Sequence, residues 1–299
     1  MTPPAPVGFL LIDKEQGWTS HDVVAKVRGS VGGKVGHAGT LDPMATGLLV
    51  LALGRATRLL RYVQGAQKEY LATALFGVAT DSLDADGAVV SREAMDVDQG
   101  QIEAVLDRFR GEILQMPPMV SARKVEGKRL YELAREGKVV EREARPVTID
   151  RLELVDVAPS DYPEVTFRTV CSTGTYIRTL ADDMARALGG RAHLVALRRV
   201  RNGCLDVDAA VSVGEAVQAI ADGDIDRFLI SPSNALAVLP EVRVDEAMEF
   251  RVRNGRSLDL HAEDPDFDGA VRVTGRTGEL LAVYRRTTPE VLEPEVVIA

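Results

Sequence analysis

The apolar positions of this chain fall into short runs separated by polar and glycine-rich punctuation. Gly8 to Asp13 reads as a short buried strand, and Thr19, Ser20 and Asp22 supply capping signals for a helix carrying Val23, Val24 and Val27. Gly29 to Gly39 then holds five glycines, a density that marks demanding backbone geometry or close approach to a ligand. Asp42-Pro43 forms a turn, Gly47 to Leu53 returns as an apolar strand, and Ala56 to Val63 has helical spacing with its arginines outward. Strands are expected at Glu69 to Val78, Ala88 to Ser91, Val147 to Val157 and Val165 to Cys171, the last alternating Val165, Phe167, Thr169 and Cys171 toward one face. Gln101 to Phe109 has helical spacing, as do Ile177, Leu180, Ala181, Met184 and Leu188, which Gly189-Gly190 terminates. Val120 to Val125 and Leu130 to Arg135 read as a strand and a helix around Gly127. Clustered strands with interspersed helices make the class α+β. From about Leu239 the texture shifts to short strands, as in Glu241 to Val244, Ala270 to Val273 and Leu280 to Tyr284. A large domain over 1–235 followed by a small β-rich domain over 236–299 is the expected organisation, punctuated by Ser231-Pro232-Ser233-Asn234 and Pro240.

Composition narrows the picture. A chain of 299 residues, 45% hydrophobic, can bury one large core or a large and a small one. Its longest apolar run, Leu48 to Leu53, is far below the roughly 20 residues a bilayer requires, so no membrane span and a cytoplasmic location are expected. Cys171 and Cys204 match no zinc spacing and read as reduced packing residues. A net charge of −9 argues against coating nucleic acid by bulk attraction, so any polyanion must meet local patches. Three exist: Arg55, Arg58 and Arg61; Arg123, Lys124, Lys128 and Arg129; and Arg198, Arg199 and Arg201. Gly33-Lys34 is followed by Val35, which fails as a Walker loop, and neither a GxGxxG nor a GxSxG motif is present. The four histidines have no ligand spacing, so no metal is expected.

The candidate chemistry sits in Gly36-His37-Ala38-Gly39-Thr40-Leu41-Asp42-Pro43-Met44-Ala45-Thr46-Gly47. Its carboxylate occupies a turn whose following φ is pinned by Pro43 and whose approach is opened by glycines. On spacing alone, Asp42 is either a turn opener and helix cap or an acid facing a ligand. The dodecapeptide closely resembles the GHxGTLDPxATG segment of TruB-type pseudouridine synthases. Asp13-Lys14 with Gly17-Trp18-Thr19-Ser20 resembles the family's DKPxGxTS motif, with Glu15 where proline is usual. Lys68-Glu69-Tyr70 is similar to its KxY segment, Gly174 to Leu180 to its GTYIRxL segment, and Ala192-His193-Leu194 with Leu197-Arg198-Arg199 completes the series.

The resemblance implies a mixed, largely antiparallel sheet with flanking helices and a central cleft, followed by a PUA-like domain. It implies isomerisation of uridine-55 in the T stem-loop of transfer RNA by a monomer that needs no metal or cofactor. Asp42 would act as nucleophile or charge stabiliser, kept ionised by Arg178. Tyr70 would stack on the extruded base and assist a late proton transfer, while Tyr176 and Leu197 line the pocket and His37 contacts RNA. Lys14, Arg123, Lys124, Lys128, Arg198 and Arg199 are expected at the RNA. Two other readings stay open on the residues: a carboxylate-pair hydrolase using Asp42 with Asp81 or Asp84, and a non-catalytic RNA-binding module.

Overall fold

The computed structural model describes residues 6–118, 124–125, 128–129, 142–259 and 267–298. The fold is α+β with mostly antiparallel strand pairing, and the chain divides into two compact units. One comprises residues 1–42, 47–66 and 201–299; the other comprises 43–46 and 67–200.

In the first unit, strand Gly8–Lys14 pairs along its whole length with Thr46–Leu53, and Val35–His37 adds to the far end of the latter. Both long strands are almost wholly apolar because both faces are covered. Helix Ser20–Val31 begins with a reciprocal capping box between Thr19 and Asp22 and ends at Gly32, whose φ of 69° is the left-handed conformation that glycine adopts without a Cβ penalty. Val23, Val24 and Val27 point inward, as their spacing predicts. Helix Val213–Ala221, with its own Ser212–Glu215 capping box, packs against it and adds to the elements expected from the sequence. The expected helix over Ala56 to Val63 is instead a 3-10 turn, Gly54–Leu59, running into the short α-helix Leu60–Gly65.

The C-terminal part of the first unit is the expected small β structure. Its strands run in the order Glu241–Arg243, Ala270–Thr274, Leu280–Thr288, Val291–Val297, Leu258–Asp259. Helix Glu246–Arg253, unforeseen in a β-rich segment, covers a core of Val252, Val271, Val273, Leu281, Tyr284 and Leu292. Leu280, Val283, Val296 and Ile298 join instead a core containing Phe9, Leu11, Leu48 and Val50. The acidic residues here are used internally: Glu295 accepts from Tyr62 and Arg285, and Glu241 from Arg272 and Thr274.

In the second unit, Lys68–Phe76, Glu164–Cys171, Arg145–Ala158 and Gly111–Gln115 lie side by side in an antiparallel array, with Ala192–Asn202 beside the first of them. Glu164–Cys171 alternates buried and half-buried residues, so Val165, Phe167, Thr169 and Cys171 share the covered face as expected. Helices Gln99–Leu106 and Ile177–Ala187 flank this array. Asp182, buried on the second helix, accepts from Arg186, Arg191 and the Ala192 N–H, which ties the helix to the strand that follows it.

Candidate active site

In the first unit the loop leading to Asp42 is gripped by side chains distant in sequence. The Ala38 N–H donates to Val50 O at 2.8 Å, and the buried Asn202 amide donates to Ala38 O at 3.3 Å. Gly39 turns the chain at φ 101°, a conformation that disfavours side chains. The buried Ser20 hydroxyl then accepts from the Leu41 N–H at 2.9 Å and donates to Leu41 O at 3.1 Å. The residue before Asp42 is thereby fixed at both polar backbone atoms. Asp42 is half-buried and Pro43 after it is exposed. His37 is also half-buried; its ring meets His21 edge-on with centroids 5.5 Å apart, and Gln64 donates to its carbonyl at 3.2 Å.

The second unit carries Tyr70, Tyr176, Arg178 and Leu197. Tyr70 is half-buried on Lys68–Phe76, in register with Thr169. Its neighbour Lys68 is buried, and burial, reinforced by the nearby Arg199 guanidinium, pulls the ammonium down to about 8. Glu69 pairs with Arg168 at 2.8 Å. Tyr176 caps helix Ile177–Ala187 without a side-chain bond to it; instead Gln115, itself buried, accepts the Tyr176 N–H at 2.7 Å and donates to Tyr176 O at 3.1 Å. Arg178, in the first turn, is only 4% exposed. Its Nη1 lies 3.2 Å from Asp84 Oδ2 and donates to Ser82 O at 2.8 Å. The Asp84 carboxylate also accepts from the Ser82 hydroxyl and the Asp86 N–H.

Between those two anchors stands Leu83, whose φ of 63° makes it the one non-glycine residue at positive φ among the described residues. Such a conformation costs on the order of 1–3 kcal/mol and persists only where neighbours enforce it. Here the Leu194 N–H donates to Leu83 O at 3.0 Å. Leu197 is buried on the same strand as Leu194. The pairing of Asp84 with Arg178 commits the carboxylate that a hydrolytic acid pair would need, and Asp81 accepts from the Ala88 N–H at 3.0 Å.

Two of the expected RNA-contact residues have buried side chains. Lys14 is fully buried, and its ammonium donates to Glu15 O at 2.9 Å and Trp18 O at 2.7 Å, closing the turn where the family's proline is replaced. Arg199 is also buried, at 1% exposure, beside Lys68. Both side chains are buried, and a pattern of basic residues does not reveal which face of a strand each one occupies. Arg198 is half-buried. Lys124 and Lys128 lie on the paired strands Lys124–Val125 and Lys128–Arg129. Arg123 and the expected helix over Leu130 to Arg135 fall outside the described residues. Sequence reasoning does not reveal Ser20, Asn202 and Gln115 as clamps, and it considers Asp84 as the acid of a hydrolytic pair rather than as the partner of Arg178.

Residues 26–177 match the TruB family pseudouridylate synthase N-terminal domain, and residues 178–236 match the tRNA pseudouridylate synthase B C-terminal domain. The chain is 41% identical to the tRNA pseudouridine synthase B of Geobacillus thermodenitrificans over 295 residues, covering 96% of this chain and 98% of that protein. It is 44% identical to the enzyme of the same name from Burkholderia lata over 293 residues, covering 96% and 89%. Among solved structures, a chain of a Cbf5-Nop10-Gar1 complex superposes with a TM-score of 0.76 at 26% identity, covering 98% of this chain and 84% of that one. A chain of an H/ACA RNP bound to a substrate RNA containing 2'-deoxyuridine gives 0.75 at 25% identity, covering 98% and 85%. With both family segments matched in order and relatives above 40% identity along nearly the whole length, the chain belongs to the TruB family of pseudouridylate synthases.

Proposed function

We propose that the protein converts uridine to pseudouridine in transfer RNA, at uridine-55 of the T loop, with Asp42 as the essential acid. The relatives named tRNA pseudouridine synthase B support the substrate class. The observation that carries the role of Asp42 is the clamped loop: Leu41 is held at both backbone atoms by a buried hydroxyl, so the next carboxylate leaves a rigid base. Fixing a reacting group in this way converts binding into rate.

The reaction breaks the C1′–N1 bond, turns the uracil and forms a C1′–C5 bond; the proton lost from C5 is balanced by one gained at N1. Asp42 supplies the carboxylate, acting at the ring or the sugar carbon. Arg178, seated on Asp84 and Ser82 O, supplies a fixed positive charge near the reacting uridine. A stacked base cannot reach a carboxylate, so the uridine is extruded, and Tyr70 offers the replacement stacking surface and a hydroxyl for late proton transfer. Tyr176 and Leu197 exclude water, and His37 contacts the RNA beside the extruded nucleotide. Residues 1–235 form the catalytic domain and 236–299 the PUA-like domain, and the protein acts as a cytoplasmic monomer. Arg198, Lys124, Lys128 and Arg123 contact the RNA backbone.

The test is incubation of T stem-loop RNA with wild-type and Asp42→Asn protein, followed by nucleoside mass analysis. Pseudouridine is expected with the wild type, and none with Asp42→Asn although that variant still binds the RNA. Product from Asp42→Asn would refute the assignment. Released uracil instead of pseudouridine would favour a hydrolase.

A further inference from the structure

We propose that Ser20 is the positioning residue for Asp42, an inference that rests on the reading of Asp42 given above. Ser20 is the first residue of helix Ser20–Val31, but capping is done by its neighbour: Thr19 accepts from the Asp22 N–H and Asp22 accepts from Thr19. The Ser20 side chain is therefore released from helix duty. It is 1% exposed and reaches across 21 residues of sequence to the backbone of Leu41. A hydroxyl has one proton and two lone pairs, so it can donate to Leu41 O and accept from Leu41 N–H at once. The distances of 3.1 and 2.9 Å show both bonds made. With both its amide and its carbonyl held, the Leu41 backbone cannot rotate without breaking a buried bond, and Asp42 inherits that orientation. Asn202 fixes the start of the same loop at Ala38 O, so slack cannot enter from upstream.

The chemistry is sensitive to such a constraint. A misplacement of about 1 Å originating away from the reacting atoms costs about 100-fold in rate. Ser20 touches neither base nor sugar in this proposal; its effect passes entirely through the Asp42 carboxylate. Its loss should appear in turnover and leave RNA affinity alone, which a merely structural defect would not do.

The experiment measures single-turnover pseudouridine formation and T stem-loop affinity for wild type, Ser20→Ala, Ser20→Cys, Asp42→Asn and Thr274→Val, all as full chains. Thr274 is the control: it is a buried hydroxyl donating to Glu241 at 2.6 Å in the five-stranded sheet. Ser20→Ala is expected to lose between about 10- and 100-fold in rate with unchanged affinity. Ser20→Cys, which keeps the shape but weakens both bonds, should fall in between, and Thr274→Val should turn over like wild type. A wild-type rate in either folded Ser20 variant overturns the proposal, as does a loss of affinity equal to the loss of rate, or an equal slowing by Thr274→Val. If Ser20→Ala does not fold, Ser20→Cys carries the same criteria. Product from Asp42→Asn would instead remove the underlying reading, whereas an inactive Asp42→Asn beside a fully active Ser20→Ala would remove only the role of Ser20.

Discussion

The loop that ends at Asp42 and the helix start that carries Arg178 solve the same positioning problem with different forces. Each uses one buried polar side chain to take both backbone atoms of the preceding region: Ser20 on Leu41, and Gln115 on Tyr176. Beyond that they diverge. The clamps described on the first loop come from a hydroxyl, an amide and a backbone carbonyl, all neutral. The second region adds a buried ion pair, Arg178 with Asp84, and a strained residue between the two anchors. Neutral clamps orient the backbone that leads into a carboxylate without adding a charge of their own. A buried guanidinium needs an anion beside it to remain in the protein at all, so it is fixed by that anion and serves as a standing charge.

The largest expected effect tests the ionic half. In Asp84→Ala the carboxylate 3.2 Å from Arg178 is gone, and because both side chains are less than a tenth exposed the loss should cost about 3 kcal/mol of stability by urea denaturation. The strained loop at Leu83 would lose its reason to stay closed, and turnover should fall with it. A loss below about 1 kcal/mol, the value of an exposed pair, would mean that the two regions do not differ in the way argued. A smaller effect sharpens the neutral half. Gln115→Ala removes both bonds to Tyr176, and about 1 to 2 kcal/mol should be lost because the half-buried backbone is only partly rescued by water. Its specific signature is faster hydrogen exchange at the Tyr176 amide; unchanged protection there would show that Gln115 does not hold the helix start.

What the sequence made legible follows from the range of the forces involved. Helix Ser20–Val31 was readable because its capping box and its valines are local signals. The alternation in Glu164–Cys171 was readable for the same reason. Spacing alone left Asp42 open between a turn residue and an acid, and only the resemblance to the family motifs pointed to Asp42, Tyr70, Tyr176 and Arg178 as site residues. The clamps were not readable, since Ser20 to Leu41 spans 21 residues, Gln115 to Tyr176 spans 61 and Asn202 to Ala38 spans 164. Nothing in a serine or a glutamine announces a partner so far away. The burial of Lys14 and Arg199 was not readable either, because basic residues usually lie at the surface and burial is decided by packing that a one-dimensional pattern does not contain. The helix Glu246–Arg253 was missed because its polarity hid a single buried Val252.

Lys68, buried two residues before Tyr70 on the same strand, gives the smallest expected effect and tests how strongly burial acts on a charge in the second unit. Burial lowers Lys68 from its ordinary 10.5 to about 8, so between those two values the unfolded chain binds a proton that the folded protein does not. Stability contributed through this group must therefore rise with pH across that window and be flat below it. For one proton the slope cannot exceed about 1.4 kcal/mol per pH unit, and the folded group is only half titrated at pH 8, so the change by pH 9 is modest. Cys171, raised to about 11 by its own burial, pushes in the opposite direction at higher pH and is present in any Lys68 variant. The difference in urea stability between wild type and Lys68→Met isolates the lysine. Wild type should gain on the variant from pH 8 to 9; a difference that stays constant, or that moves toward the variant, would show that Lys68 keeps its proton in the folded protein across that range.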